Sequence, residues 1–408
     1  MKLSATSVFC IGTCWSVLLT HCDGLAPQVV QPQGIPDFRE LSPSNYHTET
    51  TSVNKHVMTW LFENTMPQPA FAAETSSPSK EEIQLLRNAF AAFYGTNRDP
   101  SAAEPLLSQA IQAWEGQPND EQAGLYRVRG DCYMSLLKPK EAIEDFSTAI
   151  SMLRGPGGEN ADPAELPASL LGRARSIRSL GTKASKDQAL QAVLDYESAL
   201  LLSAREEWDT DAERIEDGAR TNPYATWEYG MALRLIGNYQ KAEKIHLLAS
   251  ENFEDIGDPA RAIISSIDAG IDASDHDGEA GASLIKKAFK KIKGVEGRDI
   301  PLLQRVIAKE GEGRVALASI YWASGERQDA ESQLGLACSR LDQLESDAIS
   351  RQKTNPVPVA SRLKFNIDDG VAALDISCSR MRNKAYLNDR LEWPESLQEK
   401  ANKLYSLK

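Results

Sequence analysis

Reactive side chains are scarce in this sequence. Five histidines occur among 408 residues, and His21, His47 and His56 all lie near the N-terminus, which leaves His246 and His276 for the remainder. So few bases supply no Ser-His-Asp or Cys-His set, and no His/Cys group has metal-ligand spacing, so hydrolase and metalloenzyme chemistry have little support. The six cysteines contain no CxxC. Gly155-Pro156-Gly157-Gly158 is the one glycine-rich run that invites a phosphate-loop reading, yet no Lys-Ser/Thr follows it and no strand precedes it, so it is read as a linker. A basic excess is missing too: the formal net charge is −13, which argues against nucleic-acid binding. About −11 of that charge falls beyond Glu63, so the acidity belongs to the folded part and serves solubility.

What the chain does have is a repeat. Asn222–Asp258 reads as two amphipathic helices joined at Gly237-Asn238, with Gly230 at their crossing and Ala242 and Ala249 facing back onto the first helix. Gly130, Tyr133, Ala142, Phe146 and Ala149 have the same spacing as Gly230, Leu233, Ala242, His246 and Ala249, and as Ala318, Tyr321, Ala330, Leu334 and Ala337. This small–large–small pattern is that of a tetratricopeptide (TPR) repeat, whose period is roughly 34 residues. Gly or Ala lets two helices approach, and a large side chain fills the groove beside it. His246 stands at one of these large positions and is read as packing; His276, in a polar turn, is read as solvated. The expected fold is therefore all-α, a right-handed α-solenoid of TPR-like helix hairpins with a C-terminal capping helix.

Along the chain, hairpins are expected over Lys80–Glu115, Gln122–Leu153, Leu166–Ala204, Asn222–Asp258, Ala260–Ile292 and Leu302–Leu344, with Arg205–Thr221 a connecting helix or loop. Val359–Asn388 reads as helical, and Trp393-Pro394 opens a last helix that hides the terminal apolar face. The domain expectation is a repeat domain over 80–343 and a helical cap over 344–408. Asp272, Asp275, Asp277 and Glu279 miss the register of a calcium loop, and Gly130 within Arg129-Gly130-Asp131 belongs to a helix crossing, not to a displayed loop. Cys132 is expected as a buried thiol. Separate core thiols are the preferred reading of Cys338 and Cys378, with a disulfide the alternative in an oxidising compartment.

Ahead of the repeats, Met1-Lys2 and the apolar run Val8–Thr20 suit a signal peptide over 1–22 and are too short for a membrane span. Residues 23–73 read as a plastid transit segment of the kind found in algae with secondary plastids, with Leu25-Ala26-Pro27 at its start. Ala70-Phe71-Ala72 offers a second processing site of thylakoid-transfer type. A plain tail of a stromal protein is the alternative, and no membrane span is expected in the mature chain.

With the repeats in place, Asn222–Arg234 (NPYATWEYGMALR), Phe253–Asp272 (FEDIGDPARAIISSIDAGID), Val295–Ala318 (VEGRDIPLLQRVIAKEGEGRVALA) and Trp393-Pro394 resemble the chloroplast-lumen tetratricopeptide proteins, the "chloroplast lumen common" family. The resemblance spans about Ile215–Lys408; the earlier repeats match only as generic repeats. It implies a plastid protein, lumenal by preference, that serves thylakoid complexes as a helical scaffold; the residues themselves give no cofactor and no metal site.

Repeat register places Arg127, Asp131, Arg175, Arg178, Trp227, Met231, Arg234, Ser319 and Trp322 on the concave side formed by the first helices, as a groove for a protein or peptide partner. Arginines beside aromatics suit an acidic or a C-terminal peptide. The competing reading is that these arginines pair with Asp and Glu of adjacent repeats. An enzymatic alternative rests on the charge-dense segment 295–318, with Glu310 and Glu312 as acid and base near Arg298 and Arg305.

Overall fold

Capping chemistry starts the helices where the sequence places it. Ser79 and Glu82, Ser185 and Gln188, and Thr210 and Glu213 form reciprocal capping boxes. Proline occupies the first turn at Pro100, Pro139, Pro223 and Pro259, where its missing N–H costs nothing. The computed structural model describes residues 79–95, 98–117, 119–158, 161–205, 208–295, 300–354 and 377–406. The leader, the transit segment and the possible processing site lie outside these residues.

The described residues form fifteen α-helices: α1 (Lys80–Tyr94), α2 (Pro100–Ala113), α3 (Asn119–Ser135), α4 (Pro139–Arg154), α5 (Glu165–Arg178), α6 (Lys186–Ser203), α7 (Asp211–Thr221), α8 (Pro223–Leu235), α9 (Tyr239–Asp255), α10 (Pro259–Ala273), α11 (Gly278–Lys291), α12 (Ile300–Ser324), α13 (Arg327–Thr354), α14 (Lys384–Asp389) and α15 (Glu395–Ser406). Consecutive helices pack as hairpins α1/α2, α3/α4, α5/α6, α8/α9, α10/α11 and α12/α13, and each hairpin leans on the next. This is an all-α stack of sequential antiparallel hairpins, consistent with a TPR-like solenoid. The connecting segment after α6 holds the helix α7, packed on α6 and α9. Helix α13 runs unbroken through residues 343 and 344.

The steric pattern holds. Ala142, Phe146, Ala149, Leu233, Ala242, His246, Ala249, Ala318, Ala330, Leu334 and Ala337 are all buried, while Tyr133 and Tyr321 are half-buried. A Cβ on Gly130 would lie 2.9 Å from the Phe146 ring, and one on Gly172 would lie 2.3 Å from it, so Phe146 is held between its own hairpin and the next. Gly230 faces the His246 ring in the same way. Close approaches outside the pattern include Gly270 against Ile285 and Gly311 against Leu341, which the sequence reading did not pick out.

One hydrophobic cluster runs from Ile263 and Ile267 through Ile285, Val315 and Leu341 to Trp393, Leu397 and Leu404, so α15 covers the last hairpin as a cap should. Cys338 and Cys378 are joined in a disulfide, with Cα atoms 4.7 Å apart. This corrects the preference for separate thiols. Folding brings Cys378, within the C-terminal segment, back against α13, which spacing in sequence does not reveal. Cys132 is buried, its Sγ–H donates to the Pro100 carbonyl, and burial pushes the thiol up to about 12, so it is an inert core thiol. No helix among the described residues is long and apolar enough to cross a membrane.

Candidate functional site

The first helices of the hairpins are cross-braced by ion pairs, and most of the arginines assigned to the groove take part. Between α3 and α5, the Arg127 guanidinium donates to Glu165 at 2.6 Å, and within α3 it donates to Asp131 at 3.2 Å. Between α5 and α8, Arg175 donates to Glu228 at 2.9 Å. Between α8 and α10, Arg234 donates to Asp272 at 2.5 Å and to the Asp268 carbonyl at 2.8 Å, and its Nη1 lies 3.0 Å from the Asp268 carboxylate. Between α10 and α12, Lys309 reaches Asp268 at 3.0 Å, and within α12 it reaches Glu312 at 2.6 Å. Glu312 then accepts from the Trp393 indole at 3.0 Å, which ties the cap into the series. Arginines of adjacent repeats thus pair with acids, as the competing reading expected.

Electrostatics follow from this enclosure. Burial lowers the Arg234 guanidinium, yet Asp272 and Asp268 more than offset it and leave it raised. Burial raises the Asp268 carboxyl, but Lys309, Arg234 and His246 outweigh it and hold Asp268 well below the usual carboxylate range. Burial also opposes the charge on Lys309, which Asp268 and Glu312 restore. His246 fills the groove beside Gly230 as expected and also sets its Nδ1 at 2.6 Å from Asp272. This second role was not read from the sequence. A usable signal was present: Asp268 and Asp272 stand four apart, flanked by Ile267, Ala269, Ile271 and Ala273, so both need buried partners.

The nine candidate residues sort by burial. Arg127, Asp131, Arg175, Arg178, Trp227, Met231 and Trp322 are half-buried. Arg234 and Ser319 are enclosed and are not displayed, contrary to expectation. Arg234 is consumed in neutralising two buried aspartates, and the Ser319 hydroxyl turns back to the Val315 carbonyl at 2.8 Å. Trp227 donates its indole N–H to Asp268 at 3.0 Å, and Trp322 is capped by the Arg327 guanidinium at 4.8 Å. Met231 packs its sulfur 3.5 Å from Arg234.

The acid/base pair imagined for the 295–318 segment is spent on structure. Glu310, 3% exposed, accepts from Arg314 at 2.7 Å, and Glu312, 1% exposed, is taken by Lys309 and Trp393. Arg298 lies outside the described residues. His276 is exposed, with Nε2 at 3.0 Å from Glu243. Asp277 accepts from the N–H groups of Glu279 and Ala280, so it opens α11 as a cap. Among the described residues, no cluster of three His, Cys, Asp or Glu side chains could hold a metal ion.

No family model matches the chain. No curated protein matches it. Among solved structures it is similar to the crystal structure of BtubC (BKLC) from P. vanneervenii, with 17% sequence identity, a TM-score of 0.41, and coverage of 66% of this chain and 93% of that chain.

Proposed function

We propose that the chain is a non-enzymatic scaffold that binds a protein partner through the face formed by its first helices, and that it works in a plastid, in the thylakoid lumen, in the assembly or maintenance of photosynthetic membrane complexes. The observation that carries the binding reading is the architecture. Stacked hairpins present one long surface, and the cross-bracing of Arg127, Arg175 and Arg234 holds its curvature rigid, which lowers the ordering cost of docking. The plastid assignment is supported by the leader and by the resemblance of segments 222–234, 253–272 and 295–318 to the chloroplast-lumen family. The Cys338–Cys378 disulfide supports an oxidising compartment, hence the lumen over the stroma.

Affinity purification from isolated thylakoids, with the full tagged chain as bait, tests both halves of the proposal. It is expected to recover a partner set that untagged chain displaces, and mass spectrometry of the endogenous protein is expected to place its mature N-terminus just after Ala72. Recovery of no displaceable partner defeats the scaffold reading. A mature N-terminus well ahead of residue 72 defeats the lumenal one.

A further inference from the structure

In a chain of net charge −13, one stretch carries positive charge alone. Residues 280–295 contain five lysines and no Asp or Glu. They run along α11 and into the single 3₁₀ turn that follows it, Ile292–Gly294. Helix α11 is packed on α10 and α12, with Gly281, Ala282, Ile285 and Ala288 as its buried face. Lys286 with Lys290, and Lys287 with Lys291, stand four apart in two rows on the opposite face, and Lys293 follows in the 3₁₀ turn. All five are exposed. Because α10 and α12 are first helices, this face looks away from the side that the first helices form. Lys291 pairs with Glu254 of α9, and Lys286 stands 5.7 Å from the centre of the Tyr321 ring. Lys287, Lys290 and Lys293 have no ion-pair partner among the described residues. Like charges four apart on a helix repel, so the two rows oppose folding and pairing offsets little of it. Lys290 and Lys291 lie in the last turn, where cations suit the helix C-terminus, but Lys286 and Lys287 lie a turn earlier.

We propose that the lysine face of α11 docks on the surface of an anionic lipid bilayer, against the headgroup phosphates and without insertion. Side-chain type favours lipid over an acidic protein. Where this chain grips a fixed carboxylate it uses a two-pronged guanidinium: Arg129 holds Asp145 through two bonds of 2.7 Å, and Arg173 holds Asp195 through two more of 2.7 Å. Residues 280–295 contain no arginine. Ammonium groups on flexible stems supply undirected charge, which suits a diffuse layer of mobile headgroups. Shape agrees, since an outward helix face meets a plane, whereas an extended peptide is held best in a groove. The apolar side of α11 is buried in the core, so the attachment is electrostatic, reversible and sensitive to salt. Screening limits the attraction to about 8 Å at physiological ionic strength, so acids on the far faces of the molecule do not oppose it. This surface is separate from the partner-binding side, does not depend on it, and leaves the first helices free while the chain is held.

The test is co-sedimentation of the full chain with vesicles of phosphatidylcholine alone and of phosphatidylcholine and phosphatidylglycerol in equal parts. The readout is the gain in binding from neutral to anionic vesicles, so any contribution of the apolar N-terminal run, common to both, drops out. The unaltered chain is expected to show a gain that vanishes at about 1 M salt, where the screening length is about 3 Å. Each lysine brought to an anionic bilayer contributes roughly fivefold. The triple variant Lys287→Gln, Lys290→Gln, Lys293→Gln is therefore expected to lose about a hundredfold of the gain, with unchanged thermal unfolding because these side chains are exposed and unpaired. A control triple at exposed lysines elsewhere, Lys140→Gln, Lys183→Gln, Lys186→Gln, has the same net charge and is expected to keep the gain. No gain for the unaltered chain, or equal loss in the two triples, overturns the proposal. Free glycerophosphate at matched phosphate concentration is expected not to release the chain, and release would overturn the bilayer assignment in favour of a simple phosphate site. Lysine-dependent retention on polyglutamate resin with no gain on vesicles would overturn it in favour of an acidic protein.

Discussion

Arg234 shows how a residue legible as a charge can be illegible as a site. Its repeat position suggested display, but Asp268 and Asp272 lie one hairpin further on, buried to the same degree, and they claim it. Replacing Arg234 by methionine leaves two carboxylates enclosed without their main partner, and the expected loss is about 3–5 kcal/mol in urea unfolding. Asp268 carries a pH signature as well. Its folded-state pKa lies below the ordinary 3.8, so its stabilising contribution is present above that value and drains away as pH falls through the folded one. The unfolding midpoint should therefore start to drop as pH passes below about 4 and keep falling below about 3, and an Asp268→Asn variant, less stable at the start, should drop less over that interval. A parallel fall in both proteins would mean that other acids carry the acid sensitivity.

At the scale of the helix, the small–large–small spacing was legible because it is steric and repeats: Gly130 with Phe146 and Gly230 with His246 follow one rule. Gly270 with Ile285 and Gly311 with Leu341 obey the same physics at a different spacing, so a fixed five-point pattern passes over them. The helical glycines are consequently unequal. Gly124 in α3 has nothing within 4 Å of where a Cβ would stand, and Gly124→Ala should add about 0.5–1 kcal/mol through helix propensity. Gly270→Ala would set its Cβ 2.6 Å from Ile285 Cγ1 and 2.9 Å from the Gly281 carbonyl oxygen, and should cost about 1–3 kcal/mol. Thermal unfolding of the two variants side by side checks the contrast, which fails if both move in the same direction. Helix starts were legible where a cap and a proline coincide, as at Asp258-Pro259. The extent of α13 beyond Leu344 was not, since its later turns are polar and carry no apolar period.

Across the whole molecule, the order of hairpins and the covering of the last one by the Trp393-Pro394 helix followed from local pattern, while the particular partners of the C-terminal segment did not. Trp393 reaching Glu312, Asp389 reaching Gly181 and Cys378 reaching Cys338 are contacts between residues far apart in sequence, and no periodicity encodes them. The disulfide closes a loop with a sequence separation of 40 residues, so Cys338→Ser or reduction should cost about 2–4 kcal/mol. The loss should concentrate in the cap, seen as faster amide exchange over residues 377–406, with α3 to α6 unaffected. Uniform acceleration would show that cap and repeats unfold as one unit.

The central claim is that this chain acts by docking a protein on the side formed by its first helices. A photoreactive residue placed at Met231 in α8, compared with one at the exposed Glu251 in α9, tests that claim most directly in intact plastid extract. Crosslinking to a defined partner from position 231 and not from position 251 is the predicted result. Crosslinking from 251 alone, or from neither position, would contradict the account.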